Sequence, residues 1–393
     1  MNGTVVVLGG GFAGFWAALA ARRVGGDAVD VRLVSRTPDL GMRPRFYEAD
    51  PASLAIDLRA PLGKAGIGFV EGEALSVDDT TLNLADGRTL PFDRLVLATG
   101  SVMSRPPLPG AEQAWSIDTR AEAMAFDRRL EDLALQVEPG HVVVVGAGFT
   151  GIELALELRD RLAVHGGDGE ALRISLVDRA DVVGPELGEG PRPVIEAALA
   201  KGRVDLRLGE TVTAMSAVHV DTARGRIEAD AVVLCTGLRA APFTRGVGGP
   251  RDRLGRLEVG SDLRAPASSA VFAAGDAAAV DTGDGYVALQ SCQHALQTGR
   301  FAGENAARDL LGLPLMAYRQ PRYVTCLDLG RAGAVFTQGW DRTVAMHGAE
   351  AKALKRRINR EVIYPPHDAD ARTLLALSST DPALQVPAAV ATT

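Results

Sequence analysis

Val5-Val6-Val7-Leu8-Gly9-Gly10-Gly11-Phe12-Ala13-Gly14 is an apolar run that breaks into glycines, and Val142-Val143-Val144-Val145-Gly146-Ala147-Gly148-Phe149-Thr150-Gly151 repeats it further along the chain. A β-branched run of this kind reads as a strand buried on both faces. In each motif the first glycine permits a tight turn. The second lets the backbone approach a pyrophosphate, and the third lets the next helix pack closely on the strand. The pyrophosphate then rests on the helix N-terminus, where free N–H groups and the helix dipole favour anions. Alanine-rich helical stretches follow both motifs, Phe15 to Arg23 and Ile152 to Leu162, as the fingerprint requires. Each unit also contains a later strand that runs into Thr-Gly, at Thr99-Gly100 and Thr236-Gly237. Two fingerprints in one chain imply two nucleotide cofactors held face to face, with electron transfer between them.

Composition narrows the class further. With 393 residues, 47% of them hydrophobic, the chain has room for two or three domains with full cores. A net charge of −7 gives no argument for a nucleic-acid partner, and none is expected. No apolar run reaches the ~18 residues of a membrane-spanning helix. The first strand starts almost at the N-terminus, so no signal peptide is expected and the chain reads as cytoplasmic. Its three cysteines, Cys235, Cys292 and Cys326, are too far apart for a CxxC motif or a metal cluster. They are expected to be buried free thiols, and no metal is expected.

The local patterns give strand 4–8, helix 13–23 and strand 29–34. Residues 38–63, with four prolines, read as irregular. Segments 67–70, 73–77, 80–84 and 88–90 read as a small antiparallel meander turning at Asp86-Gly87. The second unit repeats the plan after a helix at 119–134: strand 142–145, helix 150–162, strand 173–177, helix 191–201, strand 204–208 and a meander over 212–229. Residues 242–262 are turn-rich and link back to a strand at 270–276 and a helix around 288–311. A β-ribbon (322–329, 333–338, 341–346), a basic helix (350–361) and a loosely packed tail close the chain.

The ordered set GGGFAG, LVLATGS, VVVVGAGFTGIELA, VVLCTG, VFAAGD and SCQHALQTG resembles the two-dinucleotide-binding-domain flavoproteins of the pyridine nucleotide-disulfide oxidoreductase type. Within them the chain is similar to the type II (alternative) NADH dehydrogenases and related NAD(P)H:quinone reductases. The likeness covers roughly residues 3–346. The redox disulfide is absent, since residues 1–234 hold no cysteine. The resemblance implies an α/β fold of two Rossmann-like domains, one for FAD and one for NAD(P)H, with a small C-terminal α+β segment. The implied division is 1–118 with 250–315 for FAD, 119–249 for NAD(P)H, and 316–393 for the ribbon, basic helix and tail.

The same resemblance assigns Gly9, Gly11, Phe12, Ala13 and Gly14 to the FAD diphosphate, Glu48 and the backbone of Ala74 to its adenosine half, and Ala98, Thr99 and Gly100 to a close pass by the cofactor. Gly275 precedes Asp276, which would hold the ribityl chain, cap the following helix, or do both. The strand after the first fingerprint usually ends in an acid that binds ribose hydroxyls. Here it ends in Ser35-Arg36, so FAD binding would lean on Arg36 or Glu48. The second unit ends in Asp178-Arg179, beside Gly146, Gly148, Thr150 and Gly151. Asp178 suits the ribose of NADH, whereas Arg179 would suit a 2′-phosphate. NADH is the favoured co-substrate, with NADPH as the alternative. Glu153 would position the nicotinamide or relay a proton, or would be a solvated helix residue. Gln293 and Gln297 share one helix face and would line the flavin where a quinone docks. His294 reads as structural, with a proton shuttle as the alternative.

The implied reaction passes hydride from NADH to FAD and then electrons to a quinone or quinone-like acceptor. Alternatives are a reductase of a small carrier protein or other oxidant, and a non-enzymatic NADH-sensing flavoprotein. In the family, C-terminal amphipathic helices dock on membranes. Here Lys352, Lys355, Arg356, Arg357 and Arg360 alternate with Leu354, Ile358 and Val362, compatible with peripheral contact at the inner face of a membrane and equally with a solvated charged face. A homodimer is left open.

Overall fold

A computed structural model describes residues 3–320 and 322–381. The first unit is a five-stranded parallel sheet in the order 271–273, 94–97, 3–8, 29–35, 68–71. Val5, Val6 and Val7 are fully buried at its centre, as expected of a continuous apolar strand covered on both faces. Helix α1 (Phe12–Gly25) follows the first strand. Two expectations are corrected here. Segment 68–71 does not belong to the meander; it is the parallel edge strand beside 29–35, and only 74–77, 81–84 and 89–91 form the antiparallel meander. Residues 38–63 are not irregular: 39–41 pairs with 55–57, and a short helix α2 (Arg59–Lys64) follows. These strands are too short for a period-two pattern to stand out among the prolines.

The second unit starts with α3 (Arg120–Ala134). The Thr119 hydroxyl accepts from the Glu122 N–H while the Glu122 carboxylate accepts from the Thr119 N–H, forming a capping box. Thr119→Ala should lower stability by about 1 kcal/mol, read as a shifted urea midpoint with an unchanged slope. The second sheet repeats the first in the order 115–116, 231–234, 141–145, 173–177, 204–207, with α4 (Phe149–Val164) and α5 (Arg192–Lys201) as crossovers. Its edge strand Trp115–Ser116 has no signature in the sequence. Immediately after the two Thr-Gly turns, strands 101–103 and 238–240 pair antiparallel and tie one unit to the other.

Helix α6 (Cys292–Leu310) crosses α1 at backbone contact distance. A Cβ on Gly299 would lie 2.3 Å from the Ala13 carbonyl oxygen, and one on Gly303 would lie 2.0 Å from that of Ala17. This pair of glycines, one helical turn apart, has a packing role that the sequence reading passed over.

The ribbon forms from 324–328, 334–338 and 343–347. Helix α7 (Gly348–Arg357) then runs into a π-type turn over 358–362. The basic stripe of α7 is divided. Lys352 pairs with Asp328, and Lys355 is buried against Glu153, so both lysines point inward. Any membrane-facing charge on this element therefore comes from Arg356, Arg357 and Arg360 alone. The tail is also not uniformly loose: α8 (Ala371–Leu377) packs on α1 and α2 with Leu374 fully buried. Tail residues 382–393 lie outside the described residues. Among the described residues no helix is long and apolar enough to cross a membrane.

Candidate functional site

The two fingerprint turns are near-copies. The Gly9 N–H donates to the Val34 carbonyl at 2.8 Å, and the Gly146 N–H donates to that of Val177 at 2.8 Å. Gly9 (φ +120°) and Gly146 (φ +112°) occupy backbone that favours glycine, and a Cβ would sit 2.2 Å from the Ala98 oxygen or 2.3 Å from the Cys235 oxygen. The third glycines, Gly14 and Gly151, would each bring a Cβ within 1.8 Å of the oxygen of Gly9 or Gly146. No side chain caps α1 or α4, so their first N–H groups are left for an anion.

The first turn fits a dinucleotide diphosphate. Gly11 is exposed and a Cβ there would meet nothing within 4 Å. Beside the neighbouring strand end, Thr99 keeps a buried hydroxyl with no partner among the described residues, Gly100 turns with φ +69°, and Ala98 is buried. Ser35 stands where the ribose-binding acid is usual, with its Oγ 2.6 Å from the position of a Cβ on Gly10. Arg36 is exposed. Both Glu48 oxygens are engaged: Oε1 and Oε2 accept from Arg45, and Oε1 also accepts from Asn359 Nδ2 at 2.9 Å. Ala74 starts the meander, just past the Gly72 N–H that donates to Ser35. Asp276 accepts from the Ser101 hydroxyl at 2.6 Å. Burial raises its pKa, against the hydrogen bond from Ser101 and the charge of Arg43. Asp276 is not the cap of α6. It lies in a short turn, 275–277, while the Ser291 hydroxyl accepts from the His294 N–H. Gly275 (φ +65°) donates its N–H to Thr298 Oγ1.

The second turn differs in chemistry. Asp178 Oδ2 accepts from the Ala147 N–H at 2.7 Å and Oδ1 from the Ala180 N–H at 2.8 Å, so the carboxylate is locked against the fingerprint loop. Arg179 and Thr150 are exposed. Glu186, which the sequence reading did not single out, places Oε1 2.6 Å from the position of a Cβ on Gly148. The Thr236 hydroxyl donates to the Ser104 carbonyl at 2.7 Å, unlike that of Thr99, and Gly237 turns with φ +83°.

Glu153 is not a solvated helix residue. It is only 4% exposed, accepts from the Asp328 N–H at 2.9 Å and pairs with Lys355 Nζ at 2.8 Å. Burial pushes its pKa up to about 7, opposed by Lys355 and the Asp328 N–H. Burial would lower the Lys355 pKa, but Glu153 and the surrounding groups hold it above its ordinary value. Lys355 also donates to the Cys326 carbonyl and lies 5.7 Å above the rings of Tyr47 and Phe149. The Tyr47 hydroxyl donates to Asp328 Oδ2 at 3.2 Å, and Asn359 Nδ2 donates to the Tyr47 oxygen at 3.3 Å. Lys355, Asp328, Tyr47 and Asn359 were not read as site residues. Lys352, Lys355 and Asn359 do share the i, i+3, i+7 spacing of one helix face, the single signal that pointed to them.

On α6, Gln293 and Gln297 are half-buried, and Gln293 Nε2 donates to the Arg322 carbonyl at 3.5 Å. His294 is buried with Nδ1 2.9 Å from Ser291 Oγ. Burial, with Arg256 and Arg342, pushes it down to about 4, so it is neutral at pH 7. The three cysteines are free, Cys326 buried and the other two half-buried. Burial holds each thiol protonated, near 12, 11 and 12 for Cys235, Cys292 and Cys326. Among the described residues no acidic, histidine or cysteine cluster could hold a metal.

A family described as pyridine nucleotide-disulphide oxidoreductase matches residues 3–299. An NADH dehydrogenase-like protein of Mycobacterium tuberculosis is 44% identical over 390 residues, covering 95% of this chain and 98% of its own. The demethylphylloquinone reductase of Synechocystis is 28% identical over 354 residues, covering 85% and 86%. The solved sulfide:quinone oxidoreductase of Aquifex aeolicus shares the fold, with a TM-score of 0.76, 18% identity and coverage of 94% and 92%.

Proposed function

This chain belongs to the pyridine nucleotide-disulphide oxidoreductase family and is an NAD(P)H-dependent FAD oxidoreductase, and from that premise we propose that it takes hydride from NADH and delivers the electrons to a quinone. When bound, the flavin supplies the two-electron relay between nicotinamide and acceptor. The protein's share is binding, alignment and exclusion of water. Gly9, Gly11, Phe12, Ala13 and Gly14 hold the flavin diphosphate on the uncapped start of α1. Ser35, Arg36, Glu48 and Ala74 border its adenosine half, and Ala98, Thr99, Gly100, Gly275 and Asp276 border the rest. Gly146, Gly148, Thr150, Gly151, Thr236 and Gly237 shape the NADH site. Glu153, whose pKa burial lifts to about 7, can take up or release a proton beside Lys355 near the start of α4.

The observation that carries the acceptor reading is the half-buried Gln293–Gln297 face of α6, on a helix packed directly against the start of α1. The Synechocystis relative, whose name specifies a quinone, supports it. The test is anaerobic reduction of the purified protein by NADH and NADPH, followed by mixing with benzo- and naphthoquinones. Gln293→Ala should slow reoxidation by quinone more than reduction by NADH. Bleaching by NADH with no reoxidation by any quinone would exclude the quinone and leave a protein carrier or a sensing role.

The locked Asp178 carboxylate favours NADH, because a ribose 2′-phosphate would meet a fixed negative charge. Asp178→Ser should raise the KM for NADH about tenfold, the worth of a charged hydrogen bond, and narrow the preference over NADPH. An unchanged preference in steady-state kinetics would remove Asp178 from the ribose site.

A further inference from the structure

Arg300 is 6% exposed, yet no carboxylate, carbonyl or hydroxyl of the described residues pairs with it, and its Nε is buried without a hydrogen-bond partner. Of the other buried arginines, Arg342 likewise has only an aromatic ring among the described residues, that of Tyr323 at 5.0 Å, whereas two are paired. Arg161, fully buried, pairs with Asp127 at 2.8 Å. Arg256 pairs with Asp252 at 2.7 Å. A buried cation without a counter-charge is costly and is normally paired. Arg300 has only the face of Trp16, 4.0 Å from its guanidinium carbon, a contact that offsets part of that cost. Trp16 is 4% exposed, and its Nε1 is likewise buried and unpartnered. Arg300 Nε and Trp16 Nε1, on two side chains in contact, therefore lack an acceptor among the described residues. The nearest acid along the helix, Glu304, is already engaged by Arg23, Arg308 and Thr380.

The position of the pair matters as much as its chemistry. Gln293, Gln297, Arg300 and Glu304 follow the i, i+4, i+7, i+11 spacing of one face of α6. Arg300 thus lies one turn beyond Gln297 on the face assigned to the acceptor. Trp16 lies one turn beyond Phe12 on α1, between the two glycine crossings at Ala13 and Ala17. We propose that Arg300 and Trp16 form an anion-recognising end of the acceptor site, so that the protein favours a quinone bearing an ionised oxygen substituent, a carboxylate or enolate, over a neutral quinone of the same ring. This rests on the reading of the Gln293–Gln297 face as the acceptor site. An anionic oxygen there would accept from the guanidinium, and from the indole N–H, in short charge-assisted hydrogen bonds.

The test uses the flavin-loaded protein and two ligands of one shape, 2-naphthoate and 2-naphthamide. In the wild type, calorimetry should show 2-naphthoate binding about tenfold tighter, the discrimination of one charge-assisted pair, and inhibiting menadione reduction in the same ratio. Arg300→Gln should erase that preference. Trp16→Phe, which removes only the N–H and preserves the ring, should reduce it and serves if the arginine variant does not fold. Flavin content and melting temperature are checked for each. Equal affinity of the wild type for the two ligands overturns the anion site, as does a preference that survives Arg300→Gln. Failure of all quinone turnover with the naphthoate preference intact removes instead the acceptor reading, and with it the assignment of this site to an acceptor.

Discussion

Gly14→Val is expected to give a chain that does not retain FAD and is destabilised by more than about 4 kcal/mol, beyond the ordinary range for a single substitution. A Cβ there would stand 1.8 Å from the Gly9 carbonyl oxygen. The obstacle is backbone, in a turn whose Gly9 N–H is already committed to Val34, so no rotamer change relieves it. Gly151→Val makes the same clash with Gly146 in the second unit, yet its expected phenotype is different. That variant should stay yellow and lose reduction by NADH by more than about a hundredfold, if displacement of the nucleotide forfeits two or more charge-assisted contacts. Flavin absorbance per chain and stopped-flow bleaching read the two outcomes separately. Reversed phenotypes would exchange the cofactors between the fingerprints.

Lys355→Met should remove about 1–3 kcal/mol of stability, because it raises the Glu153 pKa further, leaving a neutral acid at pH 7, and deprives Glu153 and the Cys326 carbonyl of their buried donor. The methionine can fill the space of the lysine stem, so the loss lies in the polar contacts. The double variant Glu153→Gln/Lys355→Met should recover part of it, and a double-mutant cycle by urea denaturation measures the coupling. The pair also sets a pH dependence. Burial holds Glu153 near 7, above its ordinary value of 4.5, so the folded state keeps a proton that the unfolded chain releases. The resulting stabilisation is complete below about 4.5 and is lost as the pH rises through about 7, a change of roughly 3 kcal/mol. Glu157, also pushed up to about 7 by burial, acts in the same direction. The melting temperature of the wild type should therefore fall over that window more steeply than that of Glu153→Gln. Parallel curves would show that Glu153 does not titrate there.

Much of the first level of organisation was legible. The apolar runs, the glycine turns and the alanine-rich helices adjoin one another, and each, like the Thr-Gly strand ends, is a local solution to packing or turn geometry. That is why the central strands of the two sheets, the helices that follow them and the ribbon lie close to where the sequence places them. The departures occur where the pattern was short or mixed. Strand 68–71 was read with its antiparallel neighbours because alternation over four residues does not reveal which sheet it joins. Helix α7 was read as one basic stripe because charge on a helical wheel does not say which face is covered.

The amino-acid sequence by itself determined two dinucleotide-binding units of unequal chemistry, one ending in Asp178 and the other in Ser35, since turn geometry and strand burial are written in neighbouring residues. Only the tertiary structure decided what the charged groups face. Glu153 meets the Asp328 N–H across 175 positions of sequence, Lys352 and Lys355 turn inward rather than to a surface, and Arg300 is left beside Trp16 with no carboxylate among the described residues. The physical reason is that strand and helix formation depend on local periodicity, whereas the cost or gain of a buried charge depends on partners that chain folding alone brings together.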